Sequence, residues 1–165
     1  MFVFDLDQTI VDSSHRTPLK NGRVDIPAYV RLQTPKNIDK DSILPLADKM
    51  RREFKRSFIV VCTARKMTDY DYLFLKRNNL FFDEIYERGN VPSHISKLQD
   101  AEYKSACLHK YKDINYTFYD DSKEVIKKFK NFDNVKMVDS VSLNKRLLRR
   151  RKKPSSSLKK HTKAT

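Results

Sequence analysis

The sequence predicts an α/β fold built on a mostly parallel sheet. Three observations carry this reading. Five short strand-like runs recur along the chain. Between the later ones, apolar residues return at three- and four-residue steps, the period of a helix facing a core. The runs also end in carboxylates, hydroxyls and an arginine, and parallel sheets bind ligands beyond the carboxyl ends of their strands.

The first strand is expected over Phe2–Leu6. Phe4 and Leu6 alternate with Asp5 and Asp7, so a period of two sends both carboxylates to one side of the chain. Carboxylates are disfavoured in strands. Two at a strand's end call for a reason, and a divalent metal engaged in phosphate chemistry is one. A strand fraying into an Asx turn, with both groups solvated, is the plain alternative. Residues 11–42 hold Pro18, Pro27, Pro35 and Gly22 among mixed charge, and read as a loop or small flap. Ile43, Leu46, Ala47, Met50 and Phe54 then mark a helix, expected to begin within Asp41-Ser42-Ile43-Leu44-Pro45. A strand over Ser57–Cys62 follows. Tyr70, Leu73, Phe74 and Leu75 mark the next helix, and Phe82–Tyr86 the next strand. Ala101, Ser105, Leu108 and Tyr111 give a helix before a strand at Tyr116–Tyr119. Val125, Ile126 and Phe129 give another before Val135–Val138.

The periodicity fades after that, and Pro154-Ser155-Ser156-Ser157 breaks any helix begun at Leu147-Leu148. The expected division is a folded domain over 1–143 and a basic, disordered tail over 144–165. Residues 145–165 hold ten of the 35 Lys/Arg and none of the 21 Asp/Glu, so the tail carries most of the net charge of +14. Such a block attracts polyanions, or serves as a solubilising end or an address; nuclear targeting stays open on that account.

Only Gly22 and Gly89 are glycines, so no P-loop or dinucleotide fingerprint can be written. Cys62 and Cys107 lack metal-ligand spacing and read as buried free thiols of a reducing compartment. The longest clean apolar run, Phe58–Cys62, is far too short for a membrane span. A soluble intracellular, cytoplasmic protein with no membrane partner is the expectation.

The strand ends hold the chemistry. Asp5, Asp7 and Thr9 follow the first strand; Thr63, Ala64 and Arg65 follow the second; Asp120, Asp121 and Ser122 follow the fourth. Lys104 lies in the helix between. A carboxylate can attack phosphorus, and a second acid can protonate the leaving oxygen. Mg²⁺ takes two or three protein oxygens and keeps several waters. A lysine and a hydroxyl supply fixed donors to the phosphoryl oxygens.

DLDQT, VVCTAR, a lysine and YDD, in that order over residues 1 to about 140, resemble the haloacid dehalogenase (HAD) superfamily of phosphohydrolases. The resemblance implies a three-layer α/β/α fold with a five-stranded sheet and a minimal cap. It implies Asp5 as nucleophile and Asp7 as general acid/base, with Thr63 and Lys104 holding the phosphoryl group. Mg²⁺ would be bound by Asp5, Asp120, Asp121 and the backbone carbonyl of Asp7. Lys97 is the rival to Lys104. Gln8 departs from the pattern, since many members carry glycine there. Asp12-Ser13-Ser14-His15-Arg16, Arg65, and Asp100 four before Lys104 look like the phosphatase part of phage polynucleotide kinase–phosphatases. That likeness implies substrate contacts for Arg16 and Arg65. Three functions stay open: a phosphomonoesterase of polynucleotide 3′-phosphate ends, a phosphatase of free (deoxy)nucleoside monophosphates, and a nucleic-acid-binding protein on an inactive scaffold. The partners are accordingly a phosphorylated nucleotide or nucleic-acid end, with non-specific nucleic acid on the tail.

Overall fold

The computed structural model describes residues 1–152. Strands β1 (Phe2–Phe4), β6 (Ile59–Cys62), β7 (Glu84–Tyr86), β8 (Tyr116–Asp120) and β9 (Val135–Asp139) form one sheet in the order β7-β6-β1-β8-β9. Every pairing in it is parallel. All five coincide with expected strands.

Alternation along β1 and β6 divides the core between two faces. Phe4, Ile59 and Val61 face one cluster, while Val3, Val60 and Cys62 face the other. Helices α3 (Ala47–Glu53) and α4 (Asp69–Arg77) cover the first face, contributing Ala47, Met50, Phe74 and Leu75. Helices α6 (Asp100–Leu108) and α7 (Lys123–Phe129) cover the second, contributing Tyr103, Cys107, Val125 and Phe129. Phe4 stacks on Tyr119 at 4.8 Å between ring centroids, and Phe118 meets Phe129 edge-on at 5.0 Å. This is the three-layer α/β/α arrangement. Both cysteines are buried free thiols.

The segment read as a flap is a compact cap. β2 (Val11–Asp12) pairs antiparallel with β5 (Ser42–Ile43) at its root. β3 (Leu19–Lys20) and β4 (Arg23–Val24) form a hairpin across Asn21-Gly22, both at positive φ (52° and 75°). Helices α1 (Ile26–Leu32) and α2 (Pro35–Ile38) follow, capped by Asp25 and Thr34 with a proline in each first turn. A four-residue helix α5 (Ser93–Ser96) precedes α6.

Two expectations are corrected. The helix expected to start within residues 41–45 starts at Ala47, because Ser42–Ile43 pairs with β2 and the Leu44 amide donates to Ile10 O at 3.0 Å. Pro45 also disfavours helical backbone at Leu44. The tail does not lose structure at residue 144. Helix α8 (Ser140–Lys152) runs through it, with Leu143 packed against the core and buried polar anchors beside it. Buried Asn144 accepts from the Leu46 amide (2.8 Å) and donates to Thr9 O (2.9 Å). The rest of the expected tail, 153–165, lies outside the described residues. No helix among the described residues is long and apolar enough to cross a membrane.

Candidate active site

β1 is central, flanked by β6 and β8, and the site forms where these three strands end. The Asp5 amide donates to Tyr119 O (2.9 Å), and the Thr63 amide to Tyr86 O (2.9 Å). Sheet hydrogen bonding therefore continues to the residues that carry the functional groups. Asp5, Asp120 and Asp121 bring carboxylate oxygens within 4.8 Å of one another. Asp5 and Asp120 are buried and Asp121 half-buried.

Lys104 enters this cluster from α6 with its side chain 2% exposed. Its Nζ donates to Asp5 Oδ1 (3.0 Å) and Asp120 Oδ2 (2.9 Å), and lies 3.4 Å from Asp100 Oδ1. Lys97, the rival, is exposed at the end of α5. Thr9 donates to the other Asp5 oxygen at 3.3 Å and shares a 2.9 Å hydrogen bond with Ser140, at the start of α8. Thr63 is buried, and its Oγ1 accepts from the Arg65 amide at 3.2 Å.

One ammonium among three crowded carboxylates does not balance the charge. Burial raises the Asp5 carboxyl well above its ordinary value, against the opposing charge of Lys104. Burial, then the charge of Asp120, pushes Asp121 up to about 6. Burial likewise raises Asp120. Lys104 is raised: its carboxylates outweigh the cost of burial, so it stays charged. An all-oxygen donor set with excess negative charge fits a hard divalent cation such as Mg²⁺.

A family model described as bacteriophage T5 5′-deoxynucleotidase matches residues 1–161. The chain belongs to that family. The 5′-deoxynucleotidase of Escherichia phage T5 is 27% identical over 168 residues, covering 87% of this chain and 68% of that one. Among solved structures, a haloacid dehalogenase-like hydrolase from Streptococcus pneumoniae superposes with a TM-score of 0.54 at 17% identity, over 79% of this chain and 80% of that one. A HAD-superfamily hydrolase of subfamily IA from Geobacter sulfurreducens gives 0.55 at 12%, over 79% and 84%. The fold is HAD-like.

In this member of the T5 5′-deoxynucleotidase family, Asp7 sits apart from the acidic cluster. Its half-buried carboxylate takes Arg65 Nε at 3.1 Å, with further bonds from Arg65 Nη2 and Ser13 Oγ. Burial pushes Asp7 up, but Arg65 and Ser13 outweigh it and the net displacement is downward. Arg65 donates its other arm to Asp71 Oδ1 at 2.6 Å.

Arg16, expected near the substrate, is held within the protein. It is fully buried in a 3-10 turn, Ser14–Arg16. Its Nε and Nη2 pair with Asp41 at 2.8 and 2.6 Å, Nη2 also reaches Asp71 at 3.1 Å, and Nη1 donates to Gln33. Each guanidinium nitrogen is thus engaged within the protein. Tyr29 of α1 is pushed up to about 12 by burial beside the charges of Arg65, Asp7 and Arg16.

Asp71 and Ser140 were not singled out by sequence reasoning, and Asp41 and Ser13 were quoted in motifs without a role of their own. The Thr68-x-x-Asp71 spacing ahead of an apolar run is a capping-box signal that marks Asp71. No comparable local signal marks Asp41. Gln8 takes φ +55°, the left-handed conformation that favours glycine.

Proposed function

We propose that this chain is a Mg²⁺-dependent phosphatase of free deoxynucleoside 5′-monophosphates, acting through an aspartyl phosphate on Asp5. The observation that carries the chemistry is the convergence of Asp5, Lys104, Asp120 and Asp121 at one end of the sheet. The substrate class rests on the family match over residues 1–161, since the named relative is a 5′-deoxynucleotidase.

Asp5, Asp120, Asp121 and the Asp7 backbone carbonyl would hold the metal. When bound, Mg²⁺ supplies charge neutralisation and Lewis-acid polarisation of phosphoryl oxygens. Lys104 and Thr9 each hold one Asp5 oxygen, so the nucleophile has a fixed orientation before substrate binds. Asp5 attacks phosphorus, and the bond to the nucleoside 5′-oxygen breaks. Asp7 donates a proton to that leaving oxygen. In the second half Asp7 accepts a proton from the water that attacks the aspartyl phosphate, which frees phosphate and restores Asp5.

The Arg65 pairing suits Asp7 to the second role, because it favours the carboxylate. For the first role Asp7 must carry a proton. A phosphate dianion arriving beside Arg65 competes for the guanidinium and relieves that constraint. Thr63, at the end of β6, is the hydroxyl for the phosphoryl oxygens, and Arg65 is the substrate-side cation.

A second reading, action on polynucleotide 3′-phosphate ends, is favoured by α8. Its last eight residues carry six Lys/Arg, and the helix begins beside Thr9 at the site. The test is a panel with Mg²⁺ or EDTA: deoxynucleoside and nucleoside 5′-monophosphates, 3′- and 5′-phosphorylated oligonucleotides, and sugar phosphates. Preferential hydrolysis of deoxynucleoside 5′-monophosphates, lost in EDTA, supports the first reading. Preference for 3′-phosphorylated oligonucleotides replaces it with the second.

A further inference from the structure

We propose that Asp71 is a positioning residue: it aims Arg65 at Asp7 and, through Arg16, fixes the cap to the body of the enzyme. The inference deepens the proposed function and rests on the proton-transfer role given there to Asp7.

The two Asp71 oxygens have separate tasks. Oδ2 closes the N-terminus of α4, accepting from the Thr68 amide and hydroxyl, each at 2.8 Å. Oδ1 accepts from Arg65 Nη1 at 2.6 Å and Arg16 Nη2 at 3.1 Å. The helix cap fixes the carboxylate, and the carboxylate fixes both guanidiniums. Arg65 then has its Nε and Nη2 left, and both go to Asp7.

The cap is tied in at the same point. Arg16 lies near its start and Asp41 near its end, and Arg16 grips Asp41 with two nitrogens. Its Nη1 bonds Gln33, whose amide nitrogen donates to Tyr29 O at 2.8 Å and so holds the end of α1. The side chains of Arg16, Asp41, Asp71 and Arg65 are all at most 3% exposed. Buried charges of this kind tolerate little rearrangement, since each lost partner leaves an uncompensated ion. A nearby competitor shows what Asp71 prevents. Asp41 Oδ2 lies 4.0 Å from Arg65 Nη1. Without the Asp71 charge, Arg65 turns toward Asp41 and away from Asp7.

The test uses the full-length chain with Mg²⁺, a deoxynucleoside monophosphate and p-nitrophenyl phosphate. Thr68→Val removes part of the α4 cap but leaves Arg65 its partner. It should lower Tm while kcat falls much less than in Asp71→Asn, because the Thr68 amide and both arginines still hold the carboxylate. Asp71→Asn should lower kcat roughly ten- to a hundred-fold on both substrates, the usual size for a partner that orients a reacting group. Arg65→Met with Asp71→Asn should be no slower than Arg65→Met alone, because the first acts through the second. If Asp71→Asn does not fold, Asp71→Glu keeps the charge but displaces it by a methylene, and should still lower kcat. The proposal is overturned if the Asp71 loss adds in full to that of Arg65→Met, or if Asp71→Asn or Asp71→Glu matches Thr68→Val in kcat. An inactive wild type would overturn the proposed function instead, and an Asp7→Asn variant of normal kcat would overturn the role of Asp7.

Discussion

Replacing Lys104 with methionine removes the ammonium but keeps most of the stem. The wild-type Nζ lies 3.0 Å from Asp5, 2.9 Å from Asp120 and 3.4 Å from Asp100, with the side chain 2% exposed. The variant leaves the Asp5 and Asp120 carboxylates buried without that cation. Removing one partner of a buried charge set costs about 3–5 kcal/mol. For a domain of this size that corresponds to a fall in Tm of about 10 °C. The deficit should depend on pH in a definite direction. Asp5 and Asp120 already have folded-state pKa values above the unfolded value of 3.8. Loss of Lys104 raises them further, so the unfolded state releases these protons first as pH rises. The variant should therefore be close to wild type near pH 4 and fall behind as pH rises above it. Added Mg²⁺ should narrow the gap at pH 8 by supplying replacement charge. Turnover of a deoxynucleoside monophosphate should drop about 10²–10³-fold, the cost of losing one preorganised donor. Lys97→Ala, at an exposed position, should change neither quantity. Thermal melts at pH 4 and 8 with and without Mg²⁺, together with steady-state kinetics, read all of this. Near-normal turnover in Lys104→Met, or an equal loss in Lys97→Ala, would refute the reasoning.

Asp121→Asn removes a like charge from a carboxyl raised to about 6, so without metal it should raise Tm at pH 7 while abolishing most activity. Because that group binds its proton more tightly when folded, its contribution to stability falls as pH rises from about 4 to about 6, and melts of wild type and variant should diverge over that window. Gln8→Val should lower stability by about 1–2 kcal/mol, since a β-branched residue is strained at φ +55°, whereas Gln8→Gly should not lower it. Asn144→Ala should cost roughly 1–3 kcal/mol by leaving the Leu46 amide and Thr9 carbonyl unpaired, as read by denaturant melts. Tm unchanged in that variant would mean that α8 is not anchored as described.

The sheet was legible because its strands are short runs bounded by helical periodicity, and three of them end in polar residues of obvious chemistry. That placed Asp5, Thr63 and Asp120 at one end of one sheet before any geometry was known. Lys104 was legible through its four-residue spacing from Asp100, which resembles that of the phage phosphatases; in the structure its Nζ lies 3.4 Å from Asp100 and 2.9 Å from Asp120. The Asn21-Gly22 hairpin signal was available in the sequence but lost among the prolines of the cap. Arg16 was found, but not its partners. Its partners Asp41 and Asp71 lie 25 and 55 residues away, and ion pairs at such separations leave no period to read. α8 was missed for a related reason. Its buried anchors, Ser140 and Asn144, are polar, and its few apolar residues, such as Leu143, stand among a run of charge.

The most direct test is chemical trapping of the intermediate. Enzyme mixed with a deoxynucleoside monophosphate and Mg²⁺ is quenched within the first turnovers with borohydride, which reduces an acyl phosphate to the alcohol, and its peptides are mapped by mass spectrometry. The account requires substrate-dependent reduction at position 5, absent when Mg²⁺ is chelated and absent in Asp5→Asn. Reduction at another carboxylate, or full turnover with position 5 never modified, would contradict Asp5 as the nucleophile.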